Sequence, residues 1–140
     1  MKKLVSFSLV LFVLLNFVSC RVKTNYDFMH SKDSVVSVEI VLITINEVDG
    51  LQQKVQTIVE EPELFLNEFS QVKCYVWFSD PIGVKNNVLA VKIIYDNGDY
   101  ELIQWNGQAK YERERGLRNY TGFRVFDENE FNALLDNFLT

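Results

Sequence analysis

Histidine occurs once, cysteine twice, proline twice and glycine six times in this chain of 140 residues. Each scarcity removes a class of protein. Two cysteines are too few for a disulfide-stapled scaffold or a zinc site built from four thiolates. Scarce glycine and proline exclude collagen and low-complexity disorder, and 14% aromatic residues do not suit a coiled coil. Basic side chains are outnumbered, with 14 Lys and Arg against 19 Asp and Glu and a net charge of -5. That balance leaves no cationic footprint for a phosphate backbone, so nucleic acid is not an expected partner.

The longest apolar run, Leu4 to Leu15, is interrupted only by Ser6 and Ser8 and follows Lys2 and Lys3. It is too short for a membrane span, which needs about 20 apolar residues. It is also apolar all round, unlike a core helix with one wet face. A basic start and an apolar run of about 7–15 residues together read as an export leader.

Phe17-Val18-Ser19-Cys20 closes that run and resembles the lipobox of bacterial lipoproteins. Ser19 is small, as cleavage before the cysteine requires, and Phe17 stands where Leu is usual, as in the relaxed lipobox of spirochaetes and some other bacteria. The resemblance implies removal of residues 1–19, a diacylglycerol thioether on Cys20, and a lipid-anchored protein of the cell envelope, in the cell membrane or an outer membrane. Each buried CH2 contributes about 0.8 kcal/mol, so two or three acyl chains hold firmly where one does not. The alternative is an ordinary secretory leader with Cys20 pairing with Cys74. Cys74 lies in an apolar run, however, and reads better as a buried free thiol.

Loss of residues 1–19 removes two lysines and no acid, so the mature chain is more acidic still. An acidic surface does not favour anionic lipid, which leaves the acyl chains as the anchor. Residues 20–34 are mostly polar and without period, which predicts a lipidated, flexible tether carrying His30 as a solvated side chain.

Residues 35–140 predict one small α+β domain: a mainly antiparallel sheet of about five strands with two helices, one of them C-terminal. Val35 to Ile45 is rich in β-branched residues and apolar on both faces near Val41–Ile43, as in a central strand. Asp49-Gly50 marks a turn. Residues 51–60 fit either a returning strand or a helix. Pro62 suits a first helical turn, with Leu64, Phe65 and Phe69 forming the apolar side of a helix over 62–70. Residues 71–78 alternate, with Cys74 facing inward, and 79–87 read as a loop.

Asn97-Gly98 predicts a hairpin with a two-residue type I′ turn, pairing Tyr95 with Tyr100 and Ile93 with Leu102. In that register Lys92 and Glu101 fall on the opposite, half-wet face. Asn106-Gly107 gives a second turn, with shorter strands over 108–111 and 119–126. Asp127 with Glu130 three residues later predicts a capping box. Phe131, Leu134, Leu135 and Phe138 continue it as a C-terminal helix with one apolar stripe.

Chemistry is sparse. The domain beyond the tether has no histidine to activate a nucleophile, and no clustered Cys and His for zinc. No Gly-rich phosphate loop is present, and neither a cofactor nor a metal is implied. Lys110 to Arg124 reverses the local sign of charge and interleaves Tyr111, Tyr120 and Phe123. If it forms a β-ribbon, Arg118, Tyr120 and Arg124 share a face and offer a binding surface, Arg and Tyr being frequent interface anchors. The plainer alternative is a solvated hairpin whose cations pair with Glu112 or Glu114. The sequence therefore points to a non-enzymatic envelope binding module for an envelope protein or anionic ligand. A small envelope enzyme using convergent carboxylates is the alternative.

Overall fold

The computed structural model describes residues 22–76, 83–120 and 124–139. Cys20 and the leader lie outside the described residues, as do Trp77, Phe78 and Phe123.

The architecture is α+β, with two antiparallel sheets and two helices among the described residues. The larger sheet has six strands in the order β3-β2-β5-β6-β7-β8. These are β2 (Val35–Asn46), β3 (Gly50–Ile58), β5 (Val88–Tyr95), β6 (Tyr100–Gln104), β7 (Gly107–Glu112) and β8 (Gly116–Asn119). The smaller sheet, in the order β1-β4-β9, joins β1 (Val22–Thr24), β4 (Cys74–Val76) and β9 (Arg124–Phe126). Helices α1 (Pro62–Phe69) and α2 (Glu128–Phe138) complete the chain. Among the described residues no helix is long and apolar enough to cross a membrane.

Period-2 alternation on β2 supplies both sides of the larger sheet. Val38 and Ile40 join Val91, Ile93, Tyr95 and Ile103 in the main core, beneath Phe65, Leu66 and Phe69 of α1 and Phe131, Leu134 and Leu135 of α2. Val41 and Ile43 join Ala90, Leu102 and Ala109 in a second cluster on the other side, packed by Leu51, Val84 and Tyr100. The smaller sheet adds Cys74 and Phe126 to the main core. The open choice over 51–60 resolves as strand: β3 pairs with β2 from Asn46↔Gly50 to Glu39↔Ile58, across a bulge at Ile40/Val41.

Both helices begin where the sequence marks them. Pro62 occupies the first turn of α1, where its missing N–H costs nothing. Asp127 Oδ1 accepts from the Glu130 N–H at 3.0 Å. The capping box is only half formed, because the Glu130 carboxylate turns to Lys73. It accepts from the Lys73 N–H at 2.9 Å and from Nζ at 2.6 Å. The Asp127 N–H meanwhile donates to the Lys73 carbonyl.

Two expectations need correction. The β5–β6 hairpin forms about Asn97-Gly98, but with three loop residues rather than two. Tyr95 pairs with Asp99 through its N–H, the Gly98 N–H donates to the Tyr95 carbonyl, and Gly98 alone takes positive φ (+85°). Asn97 stays out of the left-handed region because its Oδ1 accepts from the Asp99 N–H at 2.9 Å, fixing a type I-like turn closed by a glycine bulge. The register therefore moves by one residue: Ile93 faces Glu101, and Lys92 faces Leu102. A one-residue slip exchanges the two sides of a strand. Glu101 enters the main core, and Tyr100 and Leu102 pass to the second cluster.

The segment expected as a flexible tether is part of the fold. β1 pairs with β4 from Val22↔Val76 to Thr24↔Cys74, and Tyr26 is buried. Phe28 and Met29 pack against the main core. Tyr26 makes ring contacts with Phe28, Phe69 and Phe126 at centroid distances of 5.1–5.5 Å. A polar composition concealed an apolar stripe too short to register as periodic.

Candidate functional site

Asp99 and Glu101 stand two residues apart in the hairpin, so their side chains emerge on the same side. Asp99 is at the rim and Glu101 is fully buried. The arm formed by residues 22–34 lies across them and contributes a donor or ring to each.

Glu101 Oε2 accepts from the Tyr26 hydroxyl at 2.7 Å and from the Tyr120 hydroxyl. Oε1 accepts from the Tyr95 hydroxyl and, at 3.4 Å, from the Met29 N–H. Four donors on two oxygens use the normal acceptor capacity of a carboxylate. Burial raises the Glu101 pKa above the ordinary carboxylate range, and the tyrosine donors oppose that rise without cancelling it. The three tyrosines are pushed up in turn, first by their own burial and then by the charge of Glu101. Each hydrogen bond to a charged group contributes about 1.5–3 kcal/mol, and an orphaned buried charge costs more. The arm is therefore held by the acid it covers.

At the rim, His30 Nε2 lies 2.8 Å from Asp99 Oδ2. The imidazole stands edge-on to the Tyr95 ring at 4.8 Å. Asp99 Oδ1 accepts from the Arg113 N–H at 3.0 Å. That backbone donor, followed by His30, holds the Asp99 carboxyl below its usual value. His30 is thus a partner of the hairpin and not a free tether side chain.

Beyond this rim opens a cleft of about 630 Å³. One wall is the arm, from Asp27 to His30. The second is the β5–β6 turn, with Asn97 and Asp99, and the third is the β7–β8 hairpin, from Lys110 to Arg115. Tyr120 lines it too. Tyr120 therefore connects the cleft to the buried Glu101.

Charge in the β7–β8 hairpin converges on one acid. Glu112 has Lys110 at 3.3 Å, Arg118 at 3.1 Å and Arg115 at 3.5 Å. Burial would raise its pKa, but these three cations outweigh that and lower it. Arg113 differs: among the described residues it has no carboxylate within ion-pair distance, and it is exposed at the cleft. Tyr120 also carries Lys110 Nζ over its ring at 5.6 Å.

The residues singled out from sequence are separated by the fold. Arg118 is exposed on β8 and committed to Glu112. Tyr120 follows β8 and turns its hydroxyl inward. Arg124 is on β9 in the other sheet, where its N–H donates to Gln108 Oε1 at 2.7 Å and its carbonyl accepts from Gln108 Nε2 at 2.6 Å. The three do not share one ribbon, because β8 ends at Asn119 and the chain crosses to the smaller sheet. Cys74 is buried, and burial pushes its thiol up to about 11.

Sequence reasoning missed Tyr26, His30, Asp99 and Glu101 as a unit. The available signal was Asp-Asn-Gly-Asp at 96–99, which suits a three-residue loop with glycine last and turns Glu101 inward. Nothing in the sequence announced that Tyr26 would meet it. Among the described residues, no three His, Cys, Asp or Glu side chains gather to hold a metal ion. Comparison of the chain with protein families, with curated proteins and with solved structures finds no match.

Proposed function

We propose that this chain is a lipoprotein of the bacterial cell envelope, held to a membrane by acyl chains on Cys20, whose domain is a non-enzymatic interaction module. Its ligand is anionic and enters the cleft between the arm and the β7–β8 hairpin. The observation that carries this reading is Arg113: it stands exposed at the cleft without an ion-pair partner among the described residues, while Glu112 engages the neighbouring cations. A forked guanidinium lining the same cleft as Phe28 and Tyr120 suits a carboxylate or phosphate.

The alternative, an enzyme of convergent carboxylates, gains less support. Asp99 and Glu101 do converge, but the four donors on Glu101 leave it no acceptor position for a substrate. That favours a holding role.

Two experiments test the proposal. Metabolic labelling with a fatty-acid analogue marks the wild-type protein and not Cys20→Ala; equal labelling of both removes the anchor. Calorimetric titration of the mature protein with a glutamyl dipeptide and with a sugar phosphate gives binding to at least one. That binding weakens about tenfold or more in Arg113→Glu, as loss of a charge-assisted pair implies, and persists in Arg118→Ala. Equal affinity in Arg113→Glu retires the cleft.

A further inference from the structure

We propose that the cleft takes a short peptide with a free amino terminus, its ammonium on Asp27 and a carboxylate on Arg113. This rests on the reading of Arg113 above and adds a second, oppositely charged end to the ligand. Asp27 belongs to the arm and Arg113 to the β7–β8 hairpin, so the two line the cleft from different walls. Both are exposed. Among the described residues neither has an ion-pair partner, and they do not pair with each other.

The acid between the walls fixes their spacing. Asp99 Oδ2 lies 2.8 Å from His30 Nε2 on the arm, and Oδ1 accepts from the Arg113 N–H at 3.0 Å. Asp27 is placed by its chain neighbours. Tyr26 before it is buried on Glu101, and the Phe28 ring after it lies 5.9 Å from that of Phe69. With both neighbours packed on the core, the Asp27 side chain is left at the cleft. Charges held in place before binding lose little freedom when a ligand arrives, which favours affinity.

The charge of the cleft selects against a polyanion. Four acids and three Lys or Arg side chains line it. Lys110 and Arg115 already engage Glu112. A phosphate dianion at Arg113 would meet Asp27 with no counter-charge of its own, whereas a peptide brings its ammonium there. Glu114 stands between Arg113 and Arg115 in sequence, which offsets it locally and leaves Asp27 as the acid for the ammonium. Phe28 and Tyr120 line the same space and suit the carbon framework of a peptide. A volume of about 630 Å³ is that of a small-ligand site.

The test is calorimetric titration of the mature protein with glutamyl-alanine, its N-acetyl form and a sugar phosphate. Wild type should bind the free dipeptide at least about threefold tighter than the acetylated one, the scale of a solvent-exposed ion pair. Asp27→Asn, a surface change that keeps the fold, should erase that preference, and Glu114→Gln should preserve it. The sugar phosphate should bind wild type more weakly than the dipeptide does, and should tighten in Asp27→Asn. Equal binding of free and acetylated dipeptide by wild type overturns the inference while the Arg113 reading stands. So does a preference that survives in Asp27→Asn or vanishes in Glu114→Gln. Absence of dipeptide binding also overturns it, and sugar-phosphate binding that still needs Arg113 then preserves the earlier reading. Unchanged dipeptide affinity in Arg113→Glu overturns both.

Discussion

The arm of residues 22–34 and the β7–β8 hairpin are both polar stretches, yet the fold treats them oppositely. In the arm, Tyr26, Met29 and His30 converge on two acids, one wholly interior. In the hairpin, three cations crowd one acid at the surface. The difference lies in where the acceptor is. Glu101 has no water to turn to, so every donor that reaches it is pinned, and burial magnifies the cost of its loss. Glu112 trades its partners with solvent, and exposed pairs of that kind contribute about 0–1 kcal/mol. The arm is structure; the hairpin is a charged surface free to engage something else.

Tyr26→Ala should break this contrast most severely. It removes a buried ring and one donor to Glu101, at a cost of about 3–5 kcal/mol in urea unfolding. A cost below about 1 kcal/mol, within the range of surface changes, would mean that the arm is no part of the cooperative unit.

The two acids also sharpen it through pH, with opposite signs. Glu101 is raised in the folded state. From the unfolded value near 4.3 up to its folded value, the unfolded chain ionises while the folded chain stays protonated, so stability falls as pH rises. Asp99 is lowered: its contribution is present above about pH 4 and is lost as pH falls through the folded value. Glu130, held down by Lys73, acts in the same direction as Asp99. Acidification from neutrality should first strengthen and then weaken the fold, the strengthening limb having a slope of at most about 1.4 kcal/mol per pH unit from Glu101. Urea midpoints between about pH 3 and 8 should lose the strengthening limb in Glu101→Gln and part of the weakening limb in Asp99→Asn. A Glu101→Gln profile identical to wild type would refute the role given to that side chain.

The smallest effect belongs to the hairpin. Arg118→Ala should change stability by no more than about 0.5 kcal/mol, since Lys110 and Arg115 remain on Glu112. A loss comparable with that of Tyr26→Ala would erase the distinction between the two regions.

Much of the scaffold was legible in advance because its signals are local. Pro62 starts α1, Asp127 caps α2, and the β-branched run from Val35 to Ile45 forms the long strand β2. The hairpin at Asn97-Gly98 was legible as a hairpin but not in register. Two or three loop residues suit the same dipeptide, and the choice was made by the Asn97 side chain binding the Asp99 N–H. Every side chain on β6 then changed sides, and with it the candidate site. The arm was illegible for a different reason: Tyr26 and His30 are held by residues on the β5–β6 hairpin, and no periodicity within a short polar segment encodes so distant a partner. Arg118, Tyr120 and Arg124 looked like one surface because they are close in sequence, but a change of sheet lies between them.

The outer strand β3 has one further consequence. Among the described residues it is the last strand of its sheet, with Val55 and Ile58 exposed along it. Such a rim invites a neighbouring copy to add itself by main-chain hydrogen bonds. Lys54 is the only charged residue of Gly50–Ile58 and stands at its midpoint. Two copies docking symmetrically and antiparallel about the centre would set Lys54 directly against its twin, and like charges directly opposite destabilise a ladder. A single ammonium group thus acts as gatekeeper against self-association, in the one register where pairing would be longest.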